Sequence, residues 1–255
     1  MVIFMKRLII FCACWILAAK VWAADPYIHK DGILLENPDV PGLEPGTNSV
    51  YSRTVYSAPF VMSESVFTIK TFDRSGNLSG IASATVLKPG IAVTCFHVIR
   101  DAWRTTGRLG NGKEVEFVEY MSPVLNKDIC LLRYQPTTEG LGVCLASTKN
   151  AIECEKIYTI GAPEGFGHTI AEGIISAFRE IPGYGMTIQI TAPISQGSSG
   201  GALLDHRAYL LGIISFMWRD GQNLNFAIPN DVILDEVKYF KTHPEAMVSF
   251  SYWRK

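Results

Sequence analysis

The chain is short of charge. Asp, Glu, Lys and Arg make up 18% of its 255 residues, with 23 bases nearly balancing 24 acids. No basic stripe runs through it, which argues against nucleic acid as a partner. The apolar run from Leu8 to Ala19 has twelve residues, short of the about 20 that cross a bilayer as a helix. Cysteine is sparse, at six. There is no Cys-x-x-Cys pair and no histidine cluster, so neither a metal site nor a cofactor is expected. Internal repeats at 20–50-residue periods and low-complexity tracts are also missing, which excludes solenoids and propellers.

What the N-terminus does have is an address. Lys6 and Arg7 precede the apolar run, and Val21-Trp22-Ala23 follows it. A basic segment, a short apolar segment and a small-residue site read as a bacterial-type signal peptide over residues 1–23, cut after Ala23. Retention as a membrane anchor is the alternative, and Met5 is an alternative start. Cleavage removes Lys6, Arg7 and Lys20 and no acid, leaving 232 residues with 20 bases against 24 acids. The expected product is periplasmic or secreted, with no integral membrane span. Cys95, Cys130, Cys144 and Cys154 remain, and four cysteines allow three pairings. Cys144–Cys154, which brackets a short polar segment, is the pair to test first. Cys95 and Cys130 are also candidate neighbours, and all four can equally be small buried hydrophobes.

Residues 24–58 are rich in proline and without periodicity, and read as an irregular arm. From Ser65 onward short apolar or alternating runs recur between turn residues. They cover Val66–Thr71, Ile81–Leu87, Ile91–Cys95, Val115–Tyr120, Ile129–Tyr134, Lys156–Ile160, Thr169–Phe178, Met186–Thr191, Ala202–Leu204, Tyr209–Phe216 and Leu224–Ile228. An all-β domain over residues 59–245 is predicted, built as two antiparallel barrels. One helix closes it, with Asn230 as N-cap and Ile233, Val237 and Phe240 on its apolar face. Residues 246–255 read as a tail.

The stretch Gly197-Ser198-Ser199-Gly200-Gly201 carries the chemistry. Glycines beside a serine permit a tight turn that exposes its hydroxyl and aims nearby amides into one space. Such a space suits acyl transfer, in which negative charge grows on a carbonyl oxygen. Two upstream residues complete a set: His97 ends the run Ile91–Ile99, and Asp128 opens the run to Leu132. A serine hydroxyl needs a base to become a nucleophile. Histidine supplies one near neutrality, and a carboxylate orients its ring. The predicted roles are His97 as base, Asp128 as orienter, Ser199 as nucleophile, and the Gly197 and Ser199 amides as oxyanion donors.

The order His…Asp…Ser at strand edges resembles the trypsin-like serine proteases. The closer likeness is to their HtrA (Do-like) branch, carried by Val93–Ile99, Lys127–Leu132, Thr159–Gly165 running on to Gly173–Ser176, and Asn225–Asn230. With the serine turn it spans about Ser65 to Phe240. It implies two six-stranded barrels and an exported endopeptidase acting through an acyl-enzyme on unfolded or extended polypeptides. It also implies a homotrimer held through the arm. Ser215, Phe216 and Met217 would be the edge that substrate joins as a strand, with Ser215 also bonding Asp128. Pro193 would form the base of the specificity pocket and Leu224 its wall, favouring a small aliphatic P1 residue. Ser198 stands where trypsins carry an aspartate, so a trypsin-style zymogen is not expected. Phe96 is bulkier than the residue often found before the histidine. No PDZ domain is expected after the closing helix. The alternative from another class is a catalytically weak or inactive peptide-binding scaffold on the same fold.

Overall fold

A computed structural model describes residues 65–121, 127–135, 148, 151–218 and 221–250. The signal segment 1–23, the arm 24–58, Cys144 and residues 251–255 lie outside the described residues.

Six strands form the first barrel: β1 (Val66–Phe72), β2 (Leu78–Lys88), β3 (Ile91–Cys95), β4 (Arg104–Arg108), β5 (Glu114–Met121) and β6 (Ile129–Tyr134). They hydrogen-bond in the order β5-β4-β1-β2-β3-β6, and a β5–β6 pairing closes the ring. The second barrel holds β7 (Lys156–Gly161), β8 (Thr169–Ile181), β9 (Gly185–Ile190), β10 (Ala202–Asp205), β11 (Leu210–Met217) and β12 (Asn225–Pro229). It closes in the order β10-β11-β12-β9-β8-β7. Closure leaves neither barrel a long exposed edge. The expected pair of six-stranded antiparallel barrels is present.

Alternation within strands explains the core. In β3 and β6, Ala92, Cys130, Leu132 and Tyr134 point into the first barrel. Their neighbours Val93, Cys95, Ile129 and Leu131 point out into a cluster shared with Ile160, Ala202, Leu204 and Ile213 of the second. Strands buried on both faces read as continuous apolar runs, which is why β3 and β6 are so apolar. The second barrel is filled mainly by isoleucines, including Ile157, Ile175, Ile188 and Ile190. A helix α2 (Asn230–Thr242) lays Ile233 and Val237 across the shared cluster.

Three expectations need correction. Asn230 is not the N-cap of α2; Pro229 holds that place, and the buried Asn230 amide donates to the Leu210 carbonyl at 2.7 Å. Within the segment read as a tail, Val248–Phe250 belong to the domain, because β13 (Val248–Ser249) pairs with β5 and Phe250 is 3% exposed against Tyr120. Cys95 and Cys130 are free thiols. They sit on adjacent strands but on opposite faces, so no bond can join them. Cys154 is also free and exposed.

Candidate active site

The first barrel brings His97 and Asp128 together. β3 ends at Cys95, and a single helical turn α1 (Phe96–Ile99) follows. That turn sends Phe96 towards the first barrel's core and leaves His97 facing solvent. Asp128 opens β6 with φ of 52°, a left-handed conformation that aspartate tolerates better than most residues. Its carbonyl accepts from Phe96 N at 3.1 Å, and its Oδ1 accepts from His97 N at 2.8 Å. Oδ2 lies 2.7 Å from His97 Nδ1 and accepts from Ser215 Oγ at 2.8 Å. Burial raises the Asp128 carboxyl, but His97, through ring hydrogen bond, charge and amide, and the Ser215 hydroxyl outweigh it. The net effect holds the group below its ordinary value. The ring is thus fixed by its Nδ1 side, leaving Nε2 for chemistry.

The second barrel supplies the serine turn. Gly197 has φ of 97°, and a Cβ there would sit 2.6 Å from the Ala162 carbonyl oxygen. Gly200 has φ of 88°, and a Cβ would collide with the Ser83 carbonyl and the Thr94 hydroxyl. Only glycine fits either place. Ser198 is 5% exposed, and its Oγ accepts from Ser195 N at 3.2 Å. Ser199 instead opens onto the cleft beside His97. Its hydroxyl donates to the Ser215 carbonyl at 2.8 Å and not to His97. The Gly197 and Ser199 amides make no hydrogen bond among the described residues, whereas Gly200 N is taken by Ile214 O at 2.8 Å and Ser198 N by Ser195 O at 2.9 Å.

Residues of the first barrel brace this turn. Ser83 Oγ donates to Gly197 O at 2.8 Å and accepts from Ala162 N at 2.9 Å, while Ser83 N donates to Ser199 O at 2.8 Å. Thr85 Oγ1 donates to Gly200 O at 3.0 Å. Ser83, Thr85 and Thr94 belong to no catalytic motif in the sequence. The available signal was polar residues alternating inside an otherwise apolar strand, since buried hydroxyls require partners.

A cleft runs to both sides of Ser199. On one side a recess of about 320 Å³ is lined by Tyr184, Ile194, Ile214, Ser215, Phe216 and Met217 with His97 and Ser199. Ser215–Met217 lie past the last β10 partner, Ile213, so one side of this stretch is free of sheet pairing. The Tyr184 ring lies tilted against Phe216 at 4.3 Å, and Phe216 stacks on Phe226 at 4.9 Å. Pro193 and Leu224 do not line the recess. Pro193 is exposed next to Ile194, and Leu224 closes the β11–β12 hairpin, its carbonyl accepting from Trp218 N at 2.8 Å. Tyr184 and Ile194 stand there instead. On the other side the cleft continues past Ile81, Ala82, Val98 and Ala102.

Two closed barrels with a histidine–carboxylate pair and a glycine-framed serine between them define a class of hydrolase fold. Residues 82–213 match the family model described as a trypsin-like peptidase domain, and the chain belongs to that family. Within it the chain sits in the HtrA branch. A probable periplasmic DegP-like serine endoprotease of Pseudomonas fluorescens is 32% identical over 178 residues, covering 67% of this chain and 37% of that relative. The anti-sigma-I factor RsgI9 of Acetivibrio thermocellus is 26% identical over 183 residues, 72% of this chain and 26% of its own length. Among solved structures, the HtrA-type protease AlgW with tripeptide aligns with TM-score 0.66 at 25% identity, over 74% of this chain and 64% of the other. The serine endoprotease from Yersinia pestis aligns at 0.64 and 25%, over 77% and 67%. The chain thus spans about a quarter to two-fifths of the length of these curated relatives.

Proposed function

We propose that the protein is an exported serine endopeptidase that cleaves extended polypeptides through an acyl-enzyme. The reading is carried by one observation: Ser199 faces His97 across a cleft whose flanking amides, Gly197 and Ser199, are unoccupied. Substrate joins Ser215–Met217 as an added strand, and its backbone N–H competes for the Ser215 carbonyl that now holds the Ser199 hydroxyl. The freed hydroxyl gives its proton to His97 Nε2 and attacks the scissile carbonyl. The two amides receive the oxyanion, each worth on the order of 3 kcal/mol in the transition state. Asp128 stabilises the imidazolium, which then protonates the leaving amine. Water repeats the cycle and releases the acid.

The recess walls Tyr184, Ile194, Ile214, Phe216 and Met217 carry no charge, which supports an apolar P1 residue over Lys or Arg. Cleavage sites mapped by proteomics, with Ser199→Ala as blank, test this; a Lys or Arg preference overturns it. Export is supported by the N-terminal composition and by the periplasmic label of the DegP-like relative, and N-terminal sequencing of the exported form checks cleavage after Ala23. A trimer is checked by light scattering, where a monomer refutes it.

The direct test is fluorophosphonate labelling of folded protein. Ser199→Ala abolishes the adduct and hydrolysis, while Ser198→Ala keeps both at a stability cost of about 1 kcal/mol. A second reading, a peptide-binding scaffold without turnover, draws on the Ser199 hydroxyl bonding Ser215 in place of His97. Peptide binding with no adduct on Ser199 would establish it.

A further inference from the structure

Cys95 ends β3 two residues before His97, its side chain buried in the cluster between the barrels. Its thiol donates to the Ile214 carbonyl at 3.2 Å. The thiol sulfur, a ring nitrogen of His97 and a carboxylate oxygen of Asp128 all lie within 4.8 Å of one another. Thiolate, imidazole and carboxylate are the three ligand types that zinc takes, at about 2.0 to 2.3 Å. A thiolate in the set disfavours calcium and magnesium, which prefer all-oxygen shells. We propose that Cys95, His97 and Asp128 form a binding site for a thiophilic divalent cation of the zinc class, and that its occupancy silences Ser199. The silencing rests on His97 acting as the base; the binding does not.

The cation enters between His97 Nδ1 and Asp128 Oδ2, now 2.7 Å apart, which part as the sulfur, now within 4.8 Å of a nitrogen and an oxygen of the pair, closes to bonding distance. The Cys95 thiol proton leaves to solvent as the sulfur–metal bond forms. The neutral imidazole keeps its single proton, which passes from Nδ1 to Nε2 because Nδ1 now holds the metal. An Nε2 that carries hydrogen cannot accept the Ser199 proton, so acylation stops with the fold intact. Water fills the fourth position from the cleft, where the His97 side chain is 39% exposed. No oxidant or reductant is involved. The spacing alone conceals this set, since the third ligand arrives 31 residues after the second. A second cluster, Glu155, Asp205 and His206, offers less. It holds no thiol, so nothing in it selects a thiophilic cation.

Zinc titration and cobalt substitution of the full chain test the proposal. Zinc inhibits hydrolysis reversibly, chelator restores it, and cobalt gives a near-ultraviolet thiolate charge-transfer band. In Cys95→Ser, which keeps the side-chain size and a donor to the Ile214 carbonyl, the metal-free rate is kept, the band vanishes, and zinc inhibition weakens at least about tenfold. Should that variant misfold, His97→Ala retains the thiol and weakens cobalt binding by a similar factor. A band that survives in Cys95→Ser, its absence from the parent protein, or unchanged zinc inhibition in the variant overturns the site. If the protein proves unable to hydrolyse peptides, the cobalt band still decides binding on its own.

Discussion

Asp128 is the residue on which most of the proposed chemistry converges, because it touches the His97 ring, the His97 amide and the Ser215 hydroxyl at once. Asparagine tolerates the same left-handed backbone, so Asp128→Asn isolates the charge. The variant's kcat drops by about 10⁴-fold if the carboxylate fixes the ring tautomer; a loss below tenfold refutes that role. Stability should respond as well. The folded carboxyl is held below its usual value, so the ionised form stabilises the fold above the unfolded value of about 3.9. This contribution is lost as pH falls through the lower folded value. Urea unfolding of parent and variant should therefore differ near neutrality and converge on acidification below about pH 4. Parallel curves through that range would show that Asp128 is not held. The residues of this pair were legible from sequence because each ends or begins an apolar run. Tyr184 and Ile194 were not, since a turn residue and an isolated isoleucine reveal which cleft they line only once the chain is folded.

At the level of elements, what the sequence conceals is any strand whose side chains are mostly polar or missing. β4 reads Arg-Thr-Thr-Gly-Arg and has no apolar run, yet it lies between β1 and β5. Thr105 and Gly107 are its buried positions, and Gly107 is flat enough to admit the Phe117 and Phe67 rings, which a Cβ would meet at 2.8 and 3.0 Å. β13 is hidden for a different reason: two residues cannot show a period. Its anchor is Phe250, whose ring centroid lies 5.0 Å from that of Tyr120. Phe250→Ala should cost about 3–5 kcal/mol, as other buried phenylalanines do, measured by urea denaturation. A cost under about 1 kcal/mol would return these residues to the status of a tail.

Across the whole molecule the site exists only where the barrels meet. His97 and Asp128 come from the first, Ser199 and Ser215 from the second, and the cluster containing Val93, Leu131, Ile160 and Ile213 sets their separation. Apolar burial in that cluster therefore acts on alignment as well as stability. Leu131 and Leu132 separate the two effects. They are consecutive, both fully buried, and face opposite ways: Leu131 into the inter-barrel cluster, Leu132 into the first barrel. Either leucine-to-alanine change should destabilise by about 2–5 kcal/mol. A displacement of about 1 Å between reacting groups costs about 10²-fold in rate, and of the two cavities only that of Leu131 opens in the cluster between the barrels. Fluorophosphonate acylation, measured where both variants stay folded, should slow much more for Leu131→Ala than for Leu132→Ala. Equal slowing would mean that the barrels hold their separation without this cluster, and that the alignment of Ser199 on His97 is set by the Ser83 and Thr85 hydrogen bonds alone.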